Sequence, residues 1–183
     1  MDELEFVRLG IDDERDPDFD CGDNDLNEFF LIDSKANCLE LLAVTYAWRL
    51  EGKIIAFFSV SNDAITSQDV DNFNRFRRML PNRKRYKTMP AVKIGRFAVH
   101  KEYKQQGYGS KIMDFIKIWF ITGNKTGCRF VIVDALNKSD VLPFYERNGF
   151  SYLTENDKSE HTRLMYFDLK QIALAVLPLD DHR

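Results

Sequence analysis

VKIGRFAVHKEYKQQGYGS, residues 92–110, is the stretch of this sequence from which the fold can be predicted. It begins with an apolar, β-branched run, Val92–Val99, that predicts a strand. A polar loop with two glycines follows, and from Tyr108 onward apolar residues recur every three or four positions, as in a helix. The N–H groups that open a helix lack partners within it, and glycines let an anion approach the backbone closely. Gly107 and Gly109 therefore indicate an anion site, of a size that suits a pyrophosphate.

The spacing of these glycines leaves alternatives open. An ordinary loop with two glycines is one of them. The loop lacks the Gly-Lys-Ser/Thr of a phosphate-binding Walker loop, and it lacks the three glycines of the dinucleotide fingerprint. A pyrophosphate bound without either motif leaves coenzyme A among the better candidates. An unrelated α/β domain that binds ATP or NAD is the competing interpretation.

Downstream of this stretch the pattern is again strand, short helix and strand. Phe130–Ala135 is a continuous apolar run of the kind found in buried strands. A short helix has Pro143 in its first turn and Gly149 at its end, with Ser139 or Asp140 as its predicted cap. Two final strands are predicted at Phe150–Leu153 and Leu164–Leu169.

Upstream, the sequence predicts a strand, a helix and an antiparallel hairpin. The strand lies near Leu4–Val7, and Asp23 or Asn24 caps the helix. The hairpin joins Leu41–Leu50 to Ile54–Val60 through a tight turn. The buried face of the helix is predicted to hold Leu26, Phe29, Phe30 and Ala36.

Two motifs in this order resemble the GNAT superfamily of N-acetyltransferases. Ile94–Val99 followed by Tyr103–Ser110 is similar to the family's acetyl-CoA signature, a strand followed by Arg/Gln-x-x-Gly-x-Gly/Ala. Asn137 and the later Pro143–Phe150 are similar to its second hallmark, Phe-Tyr-x-x-x-Gly-Phe. Lys104 stands where the family usually has Arg or Gln, and a lysine can also lie beside phosphate.

The resemblance implies an α/β (α+β) fold with a mixed, mostly antiparallel central sheet. The sheet would be splayed at the cofactor site, with helices on both faces. A single GNAT acetyltransferase domain would span residues 1–183. Its parts are an N-terminal strand-helix-hairpin part (1–70), a basic connecting segment (71–91), an acetyl-CoA-binding and catalytic part (92–153), and a C-terminal strand and tail (154–183).

The resemblance also implies a site for acetyl-CoA as cosubstrate, with no metal. The pantetheine arm would hydrogen-bond the exposed edge of the strand that ends at Val99. The pyrophosphate would rest on loop N–H groups from Gln105 to Ser110. Asn137 and Phe144 would flank the arm. The implied cofactor-binding residues are Phe97, Ala98, Val99, Lys104, Gln105, Gln106, Gly107, Tyr108, Gly109, Ser110, Asn137 and Phe144.

The implied mechanism is direct attack of a primary amine on the thioester in a ternary complex. Tyr145 would be the general acid that protonates the departing thiolate, since a phenol with a pKa of about 10 keeps its proton at neutral pH. An amphipathic core tyrosine is the competing interpretation of Tyr145. The sequence names no general base: His100, Glu102 and Asp134 lie near strand ends, and a water chain is an equal alternative.

The acceptor is less well defined than the donor. The formal charge of −3 creates no overall field that attracts nucleic acid, but Asn72–Lys87 is rich in Arg, Lys and aromatic residues. This segment, Phe19–Gly22 and Gly95–Val99 are more weakly similar to GNAT toxins that acetylate aminoacyl-tRNA. The predicted acceptor is a small-molecule or protein amine, with charged tRNA as the alternative. A non-catalytic acyl-CoA-binding sensor is a further alternative, which the presence of Tyr145 disfavours.

Other features bear on partners and location. A homodimer and an antitoxin partner both stay open. Met1–Gly10 lacks the pattern of a signal peptide, and no apolar run approaches the roughly 20 residues that a membrane helix needs. The three cysteines, Cys21, Cys38 and Cys128, are odd in number and lack metal-ligand spacing. They are therefore predicted to be reduced thiols. The sequence therefore predicts a cytoplasmic protein with no membrane partner.

Overall fold

The computed structural model describes residues 4–81, 86–123 and 126–176. Among these residues, seven strands form one sheet in the order β1-β2-β3-β4-β5-β7-β6. The registers described for β1–β2, β2–β3, β5–β7 and β6–β7 are all antiparallel. This confirms the predicted α/β class with a mostly antiparallel sheet. The elements are β1 (Glu5–Leu9), α1 (Asn24–Glu28), a π-helical turn (Phe29–Asp33), α2 (Ser34–Leu39), β2 (Val44–Leu50), β3 (Lys53–Ile65), α3 (Phe73–Arg77), β4 (Met89–Val99), a 3₁₀ turn (Lys101–Tyr103), α4 (Tyr108–Ile121), β5 (Phe130–Leu136), α5 (Leu142–Arg147), β6 (Ser151–Tyr152), β7 (Thr162–Asp168) and α6 (Lys170–Val176).

The chain groups into two compact units. Unit 1 contains the residues up to Ser61 together with Ile94–Ile112, and unit 2 contains Asn62–Lys93 together with the residues from Met113 onward. Each unit has its own apolar cluster. The predicted single domain and its internal boundaries stay predictions.

Unit 1 is built on the predicted hairpin of β2 and β3. Glu51 and Gly52 both have positive φ, at 49° and 81°, as the two central residues of a tight hairpin turn require. Phe57 lies at the centre of the apolar cluster, with ring centroids 5.4 Å from Phe19 and 4.7 Å from Phe30. β2 begins at Val44 rather than at the predicted Leu41, because Leu41 has a φ of 57° and leaves the extended conformation.

The predicted first helix is interrupted by the π-helical turn, which makes the prediction for Ala36 wrong. Asp23 caps α1 as predicted, accepting the N–H of Leu26 at 3.2 Å. The wider turn at Phe29–Asp33 changes the phase of the helix, so Ala36 is exposed and Ser34 is fully buried. The Ser34 hydroxyl donates to Phe30 O at 2.7 Å and accepts from Nε of the buried Arg15 at 2.9 Å.

Unit 2 is built on β5 and β7. Phe130 of β5 contacts Phe76 and Tyr166 edge-on, at centroid distances of 5.8 and 6.0 Å. α5 begins later than its predicted caps at Ser139 and Asp140 require. The structure places Val141 at the N-cap without a side-chain hydrogen bond. The cap prediction is wrong because Lys138 O accepts the N–H groups of Val141 and Leu142 at 3.2 and 3.1 Å, which uses residues 138–141 as a turn.

Candidate active site

The glycine loop and the start of α4 form an open backbone surface in unit 1. Gln105 and Gly107 have positive φ, at 60° and 83°, and the loop turns sharply into the helix. The Lys111 N–H donates to Gly107 O at 3.1 Å and closes the first helical turn. The N–H groups before Lys111 have no carbonyl one turn back within α4 and lie at the positive end of its dipole.

Space and charge at this helix start fit an anion. A Cβ built on Gly107 meets no atom within 4 Å, so the backbone here is open to a ligand. Lys104, Gln105 and Gln106 are exposed, and Lys104 supplies positive charge. The Gln106 side chain donates to Glu102 O at 2.7 Å and so braces the loop. The arrangement can hold a phosphate or pyrophosphate.

An aspartate clamp, defined as Asp20 with Lys101, holds the chain just before this loop. The Lys101 N–H donates to Asp20 O at 2.8 Å, and its ammonium donates to the Asp20 carboxylate at 2.7 Å. The other carboxylate oxygen accepts from Gly22 N at 2.7 Å and Asn27 Nδ2 at 2.9 Å. The hydrogen bonds from Lys101, Gly22 and Asn27, in that order, hold the pKa of Asp20 well below its usual value. Asp20 and Gly22 of the stretch Phe19–Gly22, which is weakly similar to GNAT toxins, take part in these hydrogen bonds.

A series of ring contacts continues from the clamp to the loop. Phe19 lies edge-on to His100, with centroids 5.7 Å apart, and His100 contacts Tyr103 at 5.9 Å. Tyr103 in turn contacts Tyr108, the first residue of α4, at 5.8 Å. His100, one of the candidate bases, accepts the Glu102 N–H on Nδ1 at 3.3 Å and caps the 3₁₀ turn.

The clamp predicts how stability depends on pH. A carboxyl whose pKa is lowered on folding contributes stability that is present above the unfolded pKa of about 3.9 and is lost as the pH falls towards the folded value. We therefore expect the wild-type protein to be more stable than Asp20→Asn at pH 7, with a gap that shrinks below about pH 4. Urea midpoints from pH 7 to pH 3 measure the gap, and the exposed Asp12→Asn is the control. A gap that does not change with pH would contradict the clamp.

The predicted strand edge lies at the end of β4 in unit 1. Ala98 is buried and packs in the cluster around Phe57, so only its backbone is available to a ligand. Phe97 and Val99 are half-buried on either side of it in the sequence. Their predicted contacts with a pantetheine arm stay predictions.

Tyr145 lies within α5 in unit 2, with 7% of its surface exposed. The rings of Phe144 and Phe150 contact it edge-on, at centroid distances of 5.2 and 5.5 Å. Burial raises the pKa of the phenol above its usual value. Among the described residues, no hydrogen bond to its hydroxyl is found. The phenol therefore keeps its proton at neutral pH.

Asn137 follows β5 and is engaged with a neighbouring loop. Its side-chain amide donates to Lys158 O at 2.9 Å and to Glu160 O at 3.0 Å, and its backbone N–H donates to His161 O at 2.9 Å. The predicted contact of Asn137 with the cofactor stays a prediction. Asp134, a candidate base at the same strand end, forms an ion pair with Lys93.

The remaining sequence features carry less chemistry. Burial raises the pKa of the Cys21 and Cys128 thiols, and all three cysteines are free. In residues 4–81, 86–123 and 126–176, no group of three or more His, Cys, Asp or Glu side chains is placed to hold a metal ion. No helix within the described residues is long and apolar enough to cross a membrane.

The basic segment is only partly described. α3 begins after Asn72, whose side chain accepts the Arg75 N–H at 3.3 Å. Arg75, Arg78 and Lys87 are exposed, whereas Phe76 is buried in the core and is not available to stack on a base. Arg83, Lys84 and Arg85 lie outside the described residues.

Lys117 belongs to neither sequence motif, and its contacts could not be predicted. Lys117 is 5% exposed and lies on the buried face of α4, between Met113 and Phe120 at helical spacing. A charged residue at an apolar position of the helical pattern is the signal that would have found it.

Comparisons with known proteins bear on both fold and family. A model of the acetyltransferase (GNAT) domain matches residues 42–152. A tyrosine-to-phenylalanine mutant of KacT is similar in structure, with a TM-score of 0.78, 20% identity, and 94% of this chain and 98% of KacT covered. AtaT complexed with acetyl-methionyl-tRNAfMet is also similar, with a TM-score of 0.77 and 21% identity; the match covers 94% of this chain and 99% of AtaT. A third structure is a tyrosine-to-phenylalanine mutant of the toxin AtaT, bound to acetyl-CoA and the C-terminus of the antitoxin AtaR. It has a TM-score of 0.69 and 20% identity, and the match covers 95% of this chain and 98% of AtaT.

No curated protein sequence matches the chain. At 20–21% identity the solved structures show a shared fold. The domain model covers more than half of the 183 residues and includes the glycine loop, Tyr145 and the strands around them. On that match the chain belongs to the GNAT acetyltransferases, which transfer the acetyl group of acetyl-CoA.

Proposed function

We propose that this chain acetylates a primary amine by direct transfer from acetyl-CoA, with Tyr145 as the general acid. The observation that carries the proposal is the state of Tyr145. Its phenol is buried, its pKa is raised by that burial, and no described residue accepts its proton. A protonated hydroxyl that no described residue engages can donate its proton to a thiolate that forms beside it.

The donor would bind at the start of α4. The open backbone at Gly107 and the N–H groups of the first turn of α4 would hold the pyrophosphate, with Lys104 adding positive charge. The predicted cofactor set, including Phe97, Val99 and Phe144, belongs to this proposal. Acetyl-CoA supplies a thioester whose carbonyl carbon accepts the amine.

The proposed step balances in atoms and charge. The neutral amine forms the new C–N bond, the C–S bond breaks, and the sulfur leaves as a thiolate. The hydroxyl of Tyr145 gives its proton to that thiolate. The proton released by the amine nitrogen returns to the phenolate through solvent.

The acceptor we favour is the aminoacyl group of charged tRNA. The structure of AtaT, which is similar to 94% of this chain, was solved with acetyl-methionyl-tRNAfMet. The exposed Arg75, Arg78 and Lys87 would contact the phosphate backbone, which attracts basic side chains without regard to sequence. Because the formal charge is −3, this attraction has to be local.

Protein partners are proposed on the same comparison. AtaT was solved with the C-terminus of the antitoxin AtaR, and we propose an antitoxin partner for this chain. A homodimer stays a prediction. Co-expression with a candidate antitoxin, followed by co-purification and loss of acetylation, would support the partner.

The acceptor is tested with labelled acetyl-CoA. The protein is incubated separately with charged tRNA, deacylated tRNA, peptides and polyamines, and Tyr145→Phe protein is the blank. Label on charged tRNA that is absent from deacylated tRNA is the expected result. Label on peptides or polyamines alone would overturn the tRNA acceptor and keep the acetyltransferase. Acetyl-CoA binding without thiol release in any pool would favour the sensor.

A further inference from the structure

Lys117 is a buried cation in unit 2 whose donors are all engaged. Its ammonium donates to Asn148 O at 2.7 Å and to Asp114 Oδ1 at 3.1 Å. It also lies over the ring of Phe167, 4.6 Å from the centroid, and 5.9 Å from the centroid of Phe150. An ammonium group has three donors, and the two hydrogen bonds with the ring face account for them.

The carbonyl that Lys117 binds belongs to the residue that ends α5. The Asn148 N–H donates to Tyr145 O at 3.1 Å, and its side-chain amide donates to Phe144 O at 2.8 Å. Asn148 therefore donates to two carbonyls of the last turn of α5. Through Asn148, the ammonium fixes the last turn of the helix that carries Tyr145.

The residues after Asn148 also rest on Tyr145. Gly149 turns with a φ of 81°, and a Cβ there would lie 3.1 Å from the Phe167 ring, so the turn is tightly packed. The Phe150 N–H donates to Tyr145 O at 3.0 Å, and its ring packs on the Tyr145 ring at 5.5 Å. Lys117 therefore contacts this turn twice, through its hydrogen bond to Asn148 O and through the rings of Phe150 and Phe167.

A core position of this kind does not need a lysine for packing. Met would fill a similar volume without the desolvation cost of a buried ammonium. What Lys117 adds is a directional contact, because its hydrogen bond restrains the position of Asn148 O at the end of α5. Small displacements of a group that transfers a proton cost large factors in rate.

We propose that Lys117 is a positioning residue for Tyr145. The ammonium holds Asn148 and the ring of Phe150, and these two hold the tyrosine in its reactive orientation. This inference rests on the proposed function, since it assumes that Tyr145 is the proton donor.

The test is a double-mutant cycle. Lys117→Met is expected to lower kcat about 10-fold per folded protein while the Kd for acetyl-CoA changes by less than about 2-fold. In the Tyr145→Phe background the same substitution is expected to change kcat by less than about 2-fold, because residues that act as a unit are not additive. Lys117→Arg keeps a donor and is expected to recover part of the rate.

Arg129→Met is the stability control. It breaks another ion pair of unit 2, that of Arg129 with Asp168 at 2.5 and 2.8 Å. It should lower the melting temperature without lowering kcat per folded protein. If Lys117→Met behaves in the same way, or if its effect multiplies with that of Tyr145→Phe, the positioning role is overturned. Full activity of Tyr145→Phe alone would instead overturn the proposed acid, and the positioning role with it.

Discussion

Replacing Tyr145 by Phe is expected to lower kcat by about 10- to 1,000-fold while acetyl-CoA binds with nearly unchanged affinity. The ring keeps its edge-on contacts with Phe144 and Phe150, so the packing of α5 is preserved. The substitution removes only the proton donor. Steady-state kinetics with a thiol reagent measure kcat, and calorimetric titration measures the binding of acetyl-CoA.

Three further measurements sharpen this result. Tyr152→Phe is the matched control, because it removes a hydroxyl that donates to Glu146 at 2.9 Å in the same unit. It should leave kcat unchanged. Since the Tyr145 hydroxyl has no hydrogen bond among the described residues, Tyr145→Phe should not lower the melting temperature. Because burial raises the pKa of Tyr145, kcat of the wild type should show no loss below about pH 10 from this group. Unchanged kcat in Tyr145→Phe would remove the residue from the mechanism.

Replacing Gly107 by Leu is expected to raise the Kd for acetyl-CoA by about 10-fold or more. The space beside Gly107 is open, so the new side chain would enter the volume that a phosphate needs. The φ of 83° also disfavours any side chain, at a cost of about 1–2 kcal/mol in stability. Calorimetric titration with acetyl-CoA and with CoA measures the loss.

Gly52→Leu separates the two effects of this substitution. Gly52 has nearly the same φ, 81°, and equally open space, but lies in the β2–β3 hairpin turn. Both variants should lose similar stability, and only Gly107→Leu should lose affinity. Equal affinities in the two variants would mean that the pyrophosphate does not bind at the start of α4.

Local patterns explain what the sequence predicted well. The strand, glycine loop and helix of residues 92–121 and the short helix ended by Gly149 depend on contacts between near neighbours in the chain. Turn chemistry such as Glu51–Gly52 is equally local. These elements carry the family's motifs, so the family and its donor could be predicted together with the fold.

What could not be predicted depends on contacts between distant residues. Asp20 and Lys101 are 81 positions apart, and nothing near either residue indicates the clamp. Lys117 and Asn148 are 31 positions apart, and a lysine in an apolar stripe gives only a hint of such a contact. The predicted caps of α5 failed because backbone carbonyls competed with the side chains of Ser139 and Asp140.

The π-helical turn at Phe29–Asp33 makes this part of the chain sensitive to length rather than to composition. A π turn contains one residue more than the α-helical turn it replaces. Deleting one residue there would rotate Ser34 by about 100° and remove the hydroxyl that meets Arg15 Nε. The loop that Arg15 ties down, through Gly10 O and Asp13 O, would then lose its anchor. Limited proteolysis near Asp13 would detect the release, and an alignment of this helix with a relative that lacks the extra residue needs a gap between Phe29 and Ser34.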